Sequence, residues 1–106
     1  MGGRAKEAEE FDERDLELAS MVFKALSHPL RLRILCMLGD GQNEVAVQQI
    51  VSATGASQSN ISQHLSIMRG KGIVKARKDG NRVLYRVSDG RMVGLFGLMR
   101  DMFCSA

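Results

Sequence analysis

The order of apolar and polar residues in segment 47–69 predicts two helices joined by a tight turn. The first helix carries three residues at helical spacing that suit a buried face, Ile50, Val51 and Thr54. It is expected to end at Gly55, because glycine readily adopts the positive φ that terminates many helices. Ser57 follows and offers a side-chain oxygen that caps the start of the second helix.

The second helix has one apolar side and one polar side of unusual composition. Its apolar stripe repeats at i, i+4 and i+7 and consists of Ile61, Leu65 and Met68. The opposite side holds short hydrogen-bonding groups where an ordinary solvated helix carries Lys and Glu: Ser59, Ser62, Gln63 and Ser66. Amides and hydroxyls can read base edges, since Gln pairs with adenine and Ser donates or accepts. The pattern favours a base-reading helix, with an uncharged solvated surface as the alternative.

Two further helices are predicted before this pair. The first runs from about Asp12 to Leu26, with apolar positions at Leu16, Ala19 or Ser20, Phe23 and Leu26. Pro29 suits the first turn of the next helix, which extends to about Leu38. That helix is apolar on two sides, Leu30, Ile34 and Leu38 on one and Leu32 and Cys36 on the other. A helix of this kind is covered on both sides, so another element must pack over Cys36.

Residues 72–87 predict a two-stranded β-hairpin, with a short extended segment at residues 43–45 upstream of it. Alternation along the second strand places Val83, Tyr85 and Val87 on one face and Arg82, Leu84 and Arg86 on the other. The dipeptide Asp79-Gly80 is a strong turn signal between the two strands. The hairpin tip therefore presents Lys78, Asn81 and Arg82.

Residues 89–103 predict a final helix that is unusually apolar for an exposed terminal element. One side carries Val93, Phe96, Met99 or Arg100, and Phe103, and the stripe is widened by Met92, Leu95 and Met102. We expect this helix to pack on another subunit. Packing into the core of its own subunit is the alternative.

Length and composition place the chain among small single-domain proteins. The 106 residues, 44% of them hydrophobic, are enough for one core, which we assign to residues 12–106. Residues 1–11 are polar and are predicted to be a disordered tail. No apolar run approaches the ~18 residues of a membrane span, and the N-terminus lacks the apolar stretch of a signal peptide. The protein is therefore expected to be cytoplasmic.

Charge is distributed unevenly along the chain. Residues 1–20 hold three basic and seven acidic side chains, whereas residues 69–91 hold eight basic and two acidic ones. A basic block beside the polar-faced helix is typical of a polyanion partner. By itself a basic block is also compatible with a solvated surface.

Enzymatic and metal chemistry have little support in the sequence. There is no Gly-rich phosphate loop or nucleophile elbow, and acid–base candidates are too few to build a catalytic site. The histidines and cysteines of the chain are His28, His64, Cys36 and Cys104, from which a tetrahedral zinc site is hard to assemble. We therefore expect no enzyme activity, no bound metal and no other cofactor.

Three segments together resemble one family of bacterial regulators. Phe23-Lys-Ala-Leu-Ser-His-Pro-Leu-Arg-Leu-Arg-Ile-Leu35, Ser57-Gln-Ser-Asn-Ile-Ser-Gln-His-Leu65 and Gly72-Ile-Val-Lys-Ala-Arg-Lys-Asp-Gly80 resemble the ArsR/SmtB family of dimeric repressors, and the likeness covers about residues 16–103. It implies a mainly α fold with a small β-hairpin, the winged helix-turn-helix. By this resemblance the helix from Gln58 to Arg69 enters the major groove, and the hairpin is a wing on the flanking backbone. The helices at both ends build a homodimer that binds double-stranded DNA at an imperfect inverted repeat.

The same resemblance assigns a set of DNA-binding residues. Those on the second helix of the pair are Gln58, Ser59, Asn60, Ser62, Gln63 and His64, and those on the hairpin are Arg77, Lys78, Asn81 and Arg82. The Ser and Gln side chains are expected to contact base edges, and the cations of the hairpin are expected to contact phosphates. His64 lies at the edge of the apolar stripe, so it has two interpretations, a phosphate contact or a hydrogen-bonded structural histidine.

The residues available for sensing differ from the metal-binding branches of that family. Those branches use histidines on the last helix or cysteines on the first helix of the helix-turn-helix, and residues 89–103 and 44–49 contain neither. The ending Leu98-Met-Arg-Asp-Met-Phe-Cys104 resembles the thiol-switch branch, the BigR, SqrR and HlyU type. The resemblance implies a Cys36/Cys104 dithiol whose reduced form binds DNA and whose disulfide or polysulfide-crosslinked form releases it. Pairing within one subunit or between two stays open, and Arg31, Arg33 and Arg100 are the candidate activating cations.

Other interpretations of the chain remain. Both cysteines can be structural in a repressor of this family that responds to a metal, a metalloid or another ligand. A winged helix used only for protein–protein contact is a further alternative. It differs from a DNA-binding protein in predicting no steep salt dependence of DNA affinity.

Overall fold

The computed structural model describes residues 12–39, 43–89 and 91–103, with the side chains of Arg91, Val93 and Arg100 excepted. The described part contains α1 (Glu13–Leu26), α2 (Pro29–Leu38), β1 (Val45–Ala46), α3 (Val47–Thr54), α4 (Gln58–Gly70), β2 (Val74–Asp79), β3 (Arg82–Val87) and α5 (Arg91–Phe103). The helices predicted from the periodicity are all present. The tail predicted for residues 1–11, and Cys104, lie outside the described residues.

Side-chain caps define the starts of the first two helices. Asp12 precedes α1, and its carboxylate accepts a hydrogen bond from the backbone N–H of Asp15 at 2.8 Å. His28 precedes α2, and its Nδ1 accepts from the backbone N–H of Leu30 at 3.3 Å. Pro29 occupies the first turn of α2, where a backbone N–H has no partner within the helix, so the N–H that proline lacks costs no helical hydrogen bond.

The sheet has one strand more than the predicted hairpin. β2 and β3 pair antiparallel from Val74↔Val87 to Asp79↔Arg82, and Gly80 takes φ 63° in the turn between them. β1 adds to the other edge of β3, which gives the order β1-β3-β2. The predicted extended segment is therefore a true strand, at Val45–Ala46. Because β1 leads directly into α3, this pairing attaches the wing to the helix-turn-helix.

One core joins every helix to the sheet. Its fully buried side chains come from α2, α3, α4, the α4–β2 connection and the sheet, namely Ile34, Leu35, Leu38, Ile50, Ile61, Leu65, Met68, Ile73, Val74 and Val87. The predicted stripe of α4 is confirmed in full. Leu84, expected on the arginine-bearing side of β3, is also buried, since Ala46 of β1 pairs beside it.

The final helix has two different apolar sides. Phe96 is 2% exposed and lies in the core, with Met92 and Met99 packed partly against it. On the other side Leu95, Leu98 and Met102 are exposed, and so is Phe103 at the C-terminal end of the core-facing side. The two interpretations offered for this helix therefore apply to different sides of it. One side is core, and the other has no partner within the described chain.

Candidate nucleic-acid interface

The turn between α3 and α4 has the geometry that its sequence predicts. Gly55 follows α3 in the left-handed conformation with φ 75°, and its N–H donates to the carbonyl of Val51 at 2.9 Å. Ser57 precedes α4, and its Oγ accepts from the backbone N–H of Asn60 at 3.2 Å. These two caps end one helix and start the next within three residues, 55–57, so the angle between α3 and α4 is set by local chemistry.

The polar side of α4 is exposed over its whole length. Its first two turns carry five of the six residues predicted to contact DNA from this helix, all exposed: Gln58, Ser59, Asn60, Ser62 and Gln63. Ser66 continues the same side and is also exposed. The buried stripe on the opposite side holds the helix against the core. The helix therefore presents a row of uncharged hydrogen-bonding groups on a rigid support.

His64 has a different environment from the residues beside it. It is 9% exposed, and its Nδ1 accepts a hydrogen bond from Nε of Arg31 at 3.0 Å. Its ring centroid lies 4.4 Å from that of His28. Burial lowers the pKa of His64, and the nearby charges of His28 and Arg31 lower it further. This environment fits the hydrogen-bonded interpretation of His64, while its phosphate contact stays a prediction.

Two arginines of α2 hold neighbouring helices through backbone carbonyls. Nη1 of Arg31 donates to the carbonyl of Ala25 in α1 at 3.0 Å, and Nη2 of Arg33 donates to the carbonyl of Ala53 in α3 at 2.7 Å. From the sequence, these arginines were expected only to be cationic neighbours of Cys36. Both guanidiniums donate to other groups, and their action on Cys36 stays a prediction.

The wing presents cations, of which two are already paired. Lys78 and Asn81 are exposed at the tip, and Arg82 lies 3.4 Å from the carboxylate of Asp79. Arg77 makes two hydrogen bonds to Glu44 just before β1, at 2.8 Å from Nε and 2.7 Å from Nη2. This contact is the main cause of a lowered pKa for the Glu44 carboxyl. The sequence placed Arg77 on the wing but contained no local signal for its acidic partner.

The thiol residues are only partly within the described chain. Cys36 lies in α2, half-buried, as a free thiol. Its proposed partner Cys104 lies outside the residues that the structure describes. In residues 12–39, 43–89 and 91–103, no group of three or more His, Cys, Asp or Glu side chains is placed to hold a metal ion. None of the described helices is long and apolar enough to cross a membrane.

Comparison with known proteins gives the family. The family model described as bacterial regulatory protein, arsR family, matches residues 28–76. The transcriptional activator HlyU of Vibrio cholerae is 36% identical over 94 residues, which are 89% of this chain and 85% of HlyU. The biofilm growth-associated repressor of Xylella fastidiosa is 32% identical over 97 residues, 92% of this chain and 82% of that repressor.

Solved structures have the same fold. V. cholerae HlyU matches with a TM-score of 0.81 at 34% identity, covering 89% of this chain and 100% of HlyU. The structure of reduced HlyU gives 0.80 at 35% identity, covering 88% and 96%. The homodimeric winged helix-turn-helix DNA-binding domain Mb0332 of Mycobacterium bovis gives 0.74 at 34% identity, covering 87% and 86%. This chain therefore belongs to the ArsR family of bacterial transcriptional regulators and is a winged helix-turn-helix protein related to HlyU and the biofilm growth-associated repressor.

Proposed function

We propose that this protein is a cytoplasmic homodimeric repressor that binds double-stranded DNA at an imperfect inverted repeat. The observation that carries the proposal is the exposed, uncharged polar side of α4 above a fully buried apolar stripe. A helix fits the major groove of B-DNA, where Ser and Gln can distinguish base pairs by their hydrogen-bonding pattern. We therefore call α4 the recognition helix.

Eight of the ten predicted residues have a role that their positions support. Ser59, Ser62 and Gln63 face outward from the first turns of the recognition helix and are assigned to base edges. Gln58 and Asn60 lie at its N-terminus, where backbone N–H groups and the helix dipole favour a phosphate. On the wing, the exposed Lys78, Asn81 and Arg82 are assigned to phosphates that fix the register on DNA.

Dimerisation is supported by exposed apolar side chains at both ends of the chain. They are Leu16, Leu18, Met21 and Phe23 on α1, and Leu95, Leu98, Met102 and Phe103 on α5. Water contact with so many large apolar groups is unfavourable, so such faces mark interaction sites. A second copy of the chain covers them and places two recognition helices about one turn of DNA, roughly 34 Å, apart. Mb0332, which is similar in fold, is described as homodimeric.

DNA binding is tested by fluorescence anisotropy on an inverted repeat from the protein's own promoter. We expect tighter binding than to scrambled DNA, and an affinity that falls steeply with salt because phosphate contacts release counterions. Gln63→Ala is expected to weaken operator binding about tenfold, the loss of one good base contact. Gln48→Ala, an exposed glutamine on α3, is the matched control and is expected to have a smaller, sequence-independent effect.

The results separate the competing functions. Salt-dependent binding without preference for the inverted repeat identifies a non-specific DNA-binding protein. Weak binding that does not depend on salt identifies a protein-interaction module instead.

We also infer that Cys36 and Cys104 form a thiol switch that releases the DNA. The support is the free, half-buried Cys36 in α2 and the position of Cys104 directly after α5 in the sequence. In forming a disulfide the two thiols lose two protons and two electrons to an oxidant, such as a polysulfide that is cleaved to release sulfide. A direct disulfide needs Cα atoms within about 7 Å. A link between these positions changes the spacing of the two recognition helices.

The switch is tested with three samples in the same anisotropy assay. Reduced protein is expected to bind the operator, and polysulfide-treated protein is expected to lose binding. Cys36→Ser, given the same treatment, is expected to keep it. Unchanged binding in all three samples identifies the cysteines as structural and leaves the repressor with a different inducer.

A further inference from the structure

One guanidinium connects three helices near the recognition helix. Arg31 lies in the first turn of α2, and its Nη1 donates to the carbonyl of Ala25 in the last turn of α1, at 3.0 Å. Its Nε donates to Nδ1 of His64 in the recognition helix, also at 3.0 Å. The planar guanidinium fixes the directions of both bonds. A shift of α1 or α2 at this point is therefore felt by the recognition helix.

The contact reaches the recognition helix beside its proposed base-reading residues. His64 directly follows Gln63, and Ser62 precedes both. The apolar stripe determines which side of this helix is buried, but its contacts have little directional preference of their own. The hydrogen bond from Arg31 is directional and weakens steeply when it is bent. It is therefore suited to define the rotation of the helix about its own axis.

We propose that Arg31 is a positioning residue for operator recognition, which orients the recognition helix through its hydrogen bond to His64. This proposal rests on the proposed DNA-binding function. Arg31 does not read DNA itself; it keeps Ser62 and Gln63 aligned with the base edges. Since Ala25 belongs to α1, one of the two helices proposed for the dimer contact, the same residue links the dimer helix to the recognition helix.

The contact depends on the protonation state of His64. As an acceptor, Nδ1 carries no proton, so the ring is neutral with its proton on Nε2. The charged and titratable groups that face the ring are Arg31 of α2 and His28 at the α1–α2 junction. Protonation of His64 removes the acceptor and places a second positive charge against the Arg31 guanidinium. Acid therefore breaks the contact, and alignment of the recognition helix is lost with it.

Arg31→Gln and Arg31→Lys test the positioning role, with Lys24→Gln as a control. Lys24 is an exposed cation in the last turn of α1, so its substitution removes the same charge as Arg31→Gln. We expect both Arg31 variants to weaken operator binding by about tenfold, the loss of one charge-assisted bond. Binding to scrambled DNA is expected to change by less than about twofold, because phosphate contacts are kept. Lys24→Gln is expected to leave the ratio of the two affinities unchanged.

His64→Asn and His64→Leu form a matched pair for the acceptor. Both side chains branch at Cγ like His, but the Asn oxygen can take the place of Nδ1 and the Leu methyl cannot accept a bond. We expect His64→Leu to lose operator preference and His64→Asn to keep it. Lowering the pH from about 7.5 until the ¹⁵N shifts report protonation of His64, which the lowered pKa places below the ordinary range, is expected to reduce operator preference in the wild type and not in His64→Asn. His28→Asn, which keeps an acceptor before α2, is expected to respond like the wild type.

The histidine ring can also be observed without DNA. Imidazole ¹⁵N chemical shifts are expected to show the Nε2–H tautomer of His64 in the wild type and an altered state in Arg31→Gln. A folded Arg31→Gln protein with unchanged operator preference overturns the proposal, as does an equal loss of operator and scrambled binding. If Arg31→Gln does not fold, an identical pH profile for wild type and His64→Asn overturns it. If the wild type has no operator preference, the proposed function fails, while the nitrogen shifts still report the contact.

Discussion

Neighbouring residues of the recognition helix have opposite environments. Gln63 is exposed, whereas His64 is 9% exposed and receives a hydrogen bond from Arg31. A turn of 100° per residue separates the two side chains, which brings His64 to the edge of the buried stripe. Desolvation of the ring, followed by the electrostatic effects of His28 and Arg31, disfavours its charged form, which lowers its pKa. A single residue therefore makes both stability and helix orientation sensitive to acid.

We expect the protein to lose stability as pH falls below the ordinary His pKa of 6.5. Above that pH, His64 is neutral in both the folded and the unfolded state, so its contribution to the free energy of unfolding is fully present. As pH falls further, the unfolded state binds the proton first, and the free energy of unfolding decreases until the lower folded-state pKa is passed. Each pKa unit of difference corresponds to about 1.4 kcal/mol, which is several degrees in Tm for a domain of this size.

Thermal unfolding at fixed protein concentration, followed by circular dichroism, measures this effect. His64→Asn is expected to have a flatter Tm profile than the wild type between about pH 7.5 and 5.5. The Glu44 carboxyl does not interfere, because its pKa is below 4.5 and it loses its stabilising effect only at lower pH. Parallel profiles of Tm against pH for the two proteins contradict the assignment of this acid sensitivity to His64.

At the scale of elements, the wing is joined to the domain by a strand and an ion pair. β1 pairs with β3, and Glu44 just before β1 reaches Arg77 on β2. The carboxylate accepts two hydrogen bonds from the guanidinium, a geometry that Lys cannot reproduce. Arg77 is still 57% exposed. This cation of the wing is therefore available to solvent but already holds an acidic partner.

Glu44→Gln is expected to strengthen binding to scrambled DNA. Without the carboxylate, Arg77 can contact a phosphate, and the repulsion between Glu44 and the DNA backbone is removed. One added phosphate contact steepens the slope of log affinity against log salt by about 0.9. Anisotropy titrations at several salt concentrations measure the slope.

Asp79→Asn is the matched control for this prediction. It removes the same charge from the wing and keeps a good turn residue before Gly80, but its contact with Arg82 is longer, at 3.4 Å. We expect Asp79→Asn to strengthen binding to scrambled DNA less than Glu44→Gln does. Equal effects of the two substitutions indicate a general change in net charge and no specific release of Arg77.

At the scale of the whole molecule, the terminal helices extend beyond what one subunit can bury. Of the 14 residues of α1, the buried ones are Ala25 and Leu26 in the last turn. The Cα radius of gyration is 15.7 Å, against about 13 Å for a compact chain of this length. Phe23 is 61% exposed and Phe103 is 76% exposed. These exposed apolar residues at both ends need a partner surface.

Leu98→Glu is expected to convert the dimer to a monomer. A buried carboxylate in an apolar interface has no partner and strongly opposes association. Leu98 is 58% exposed in the single subunit, so the substitution is expected to leave the monomer folded. Sedimentation equilibrium measures the mass, and operator affinity is expected to fall because only one half-site is then bound at a time.

Leu98→Ala provides a graded comparison. It removes apolar area without adding charge, so an intermediate dissociation constant is expected. A Leu98→Glu protein that keeps the dimer mass and operator affinity places the dimer interface elsewhere.

Much of the fold followed from the sequence by itself, because the signals involved are local. The cap residue Ser57, the helix end at Gly55 and the buried stripe of α4 each depend on residues within one or two helical turns. The order of elements, the exposure of the polar side of α4 and the apolar excess of the last helix were predictable for the same reason. The family resemblance of three short segments added the winged fold, which the comparisons confirm.

Only the tertiary structure decided how these elements are connected. Arg31 and His64 are 33 residues apart in sequence, and so are Glu44 and Arg77. Neither pair has a local pattern, because a hydrogen bond needs its two groups at about 3 Å in a fixed direction. Helix packing brings Arg31 to His64, and strand pairing brings Glu44 to Arg77. The same holds for β1, whose two residues form a strand only because β3 has a free edge beside it. Periodicity in the sequence determined which sides of the helices are buried, and three-dimensional packing determined which polar groups meet between them.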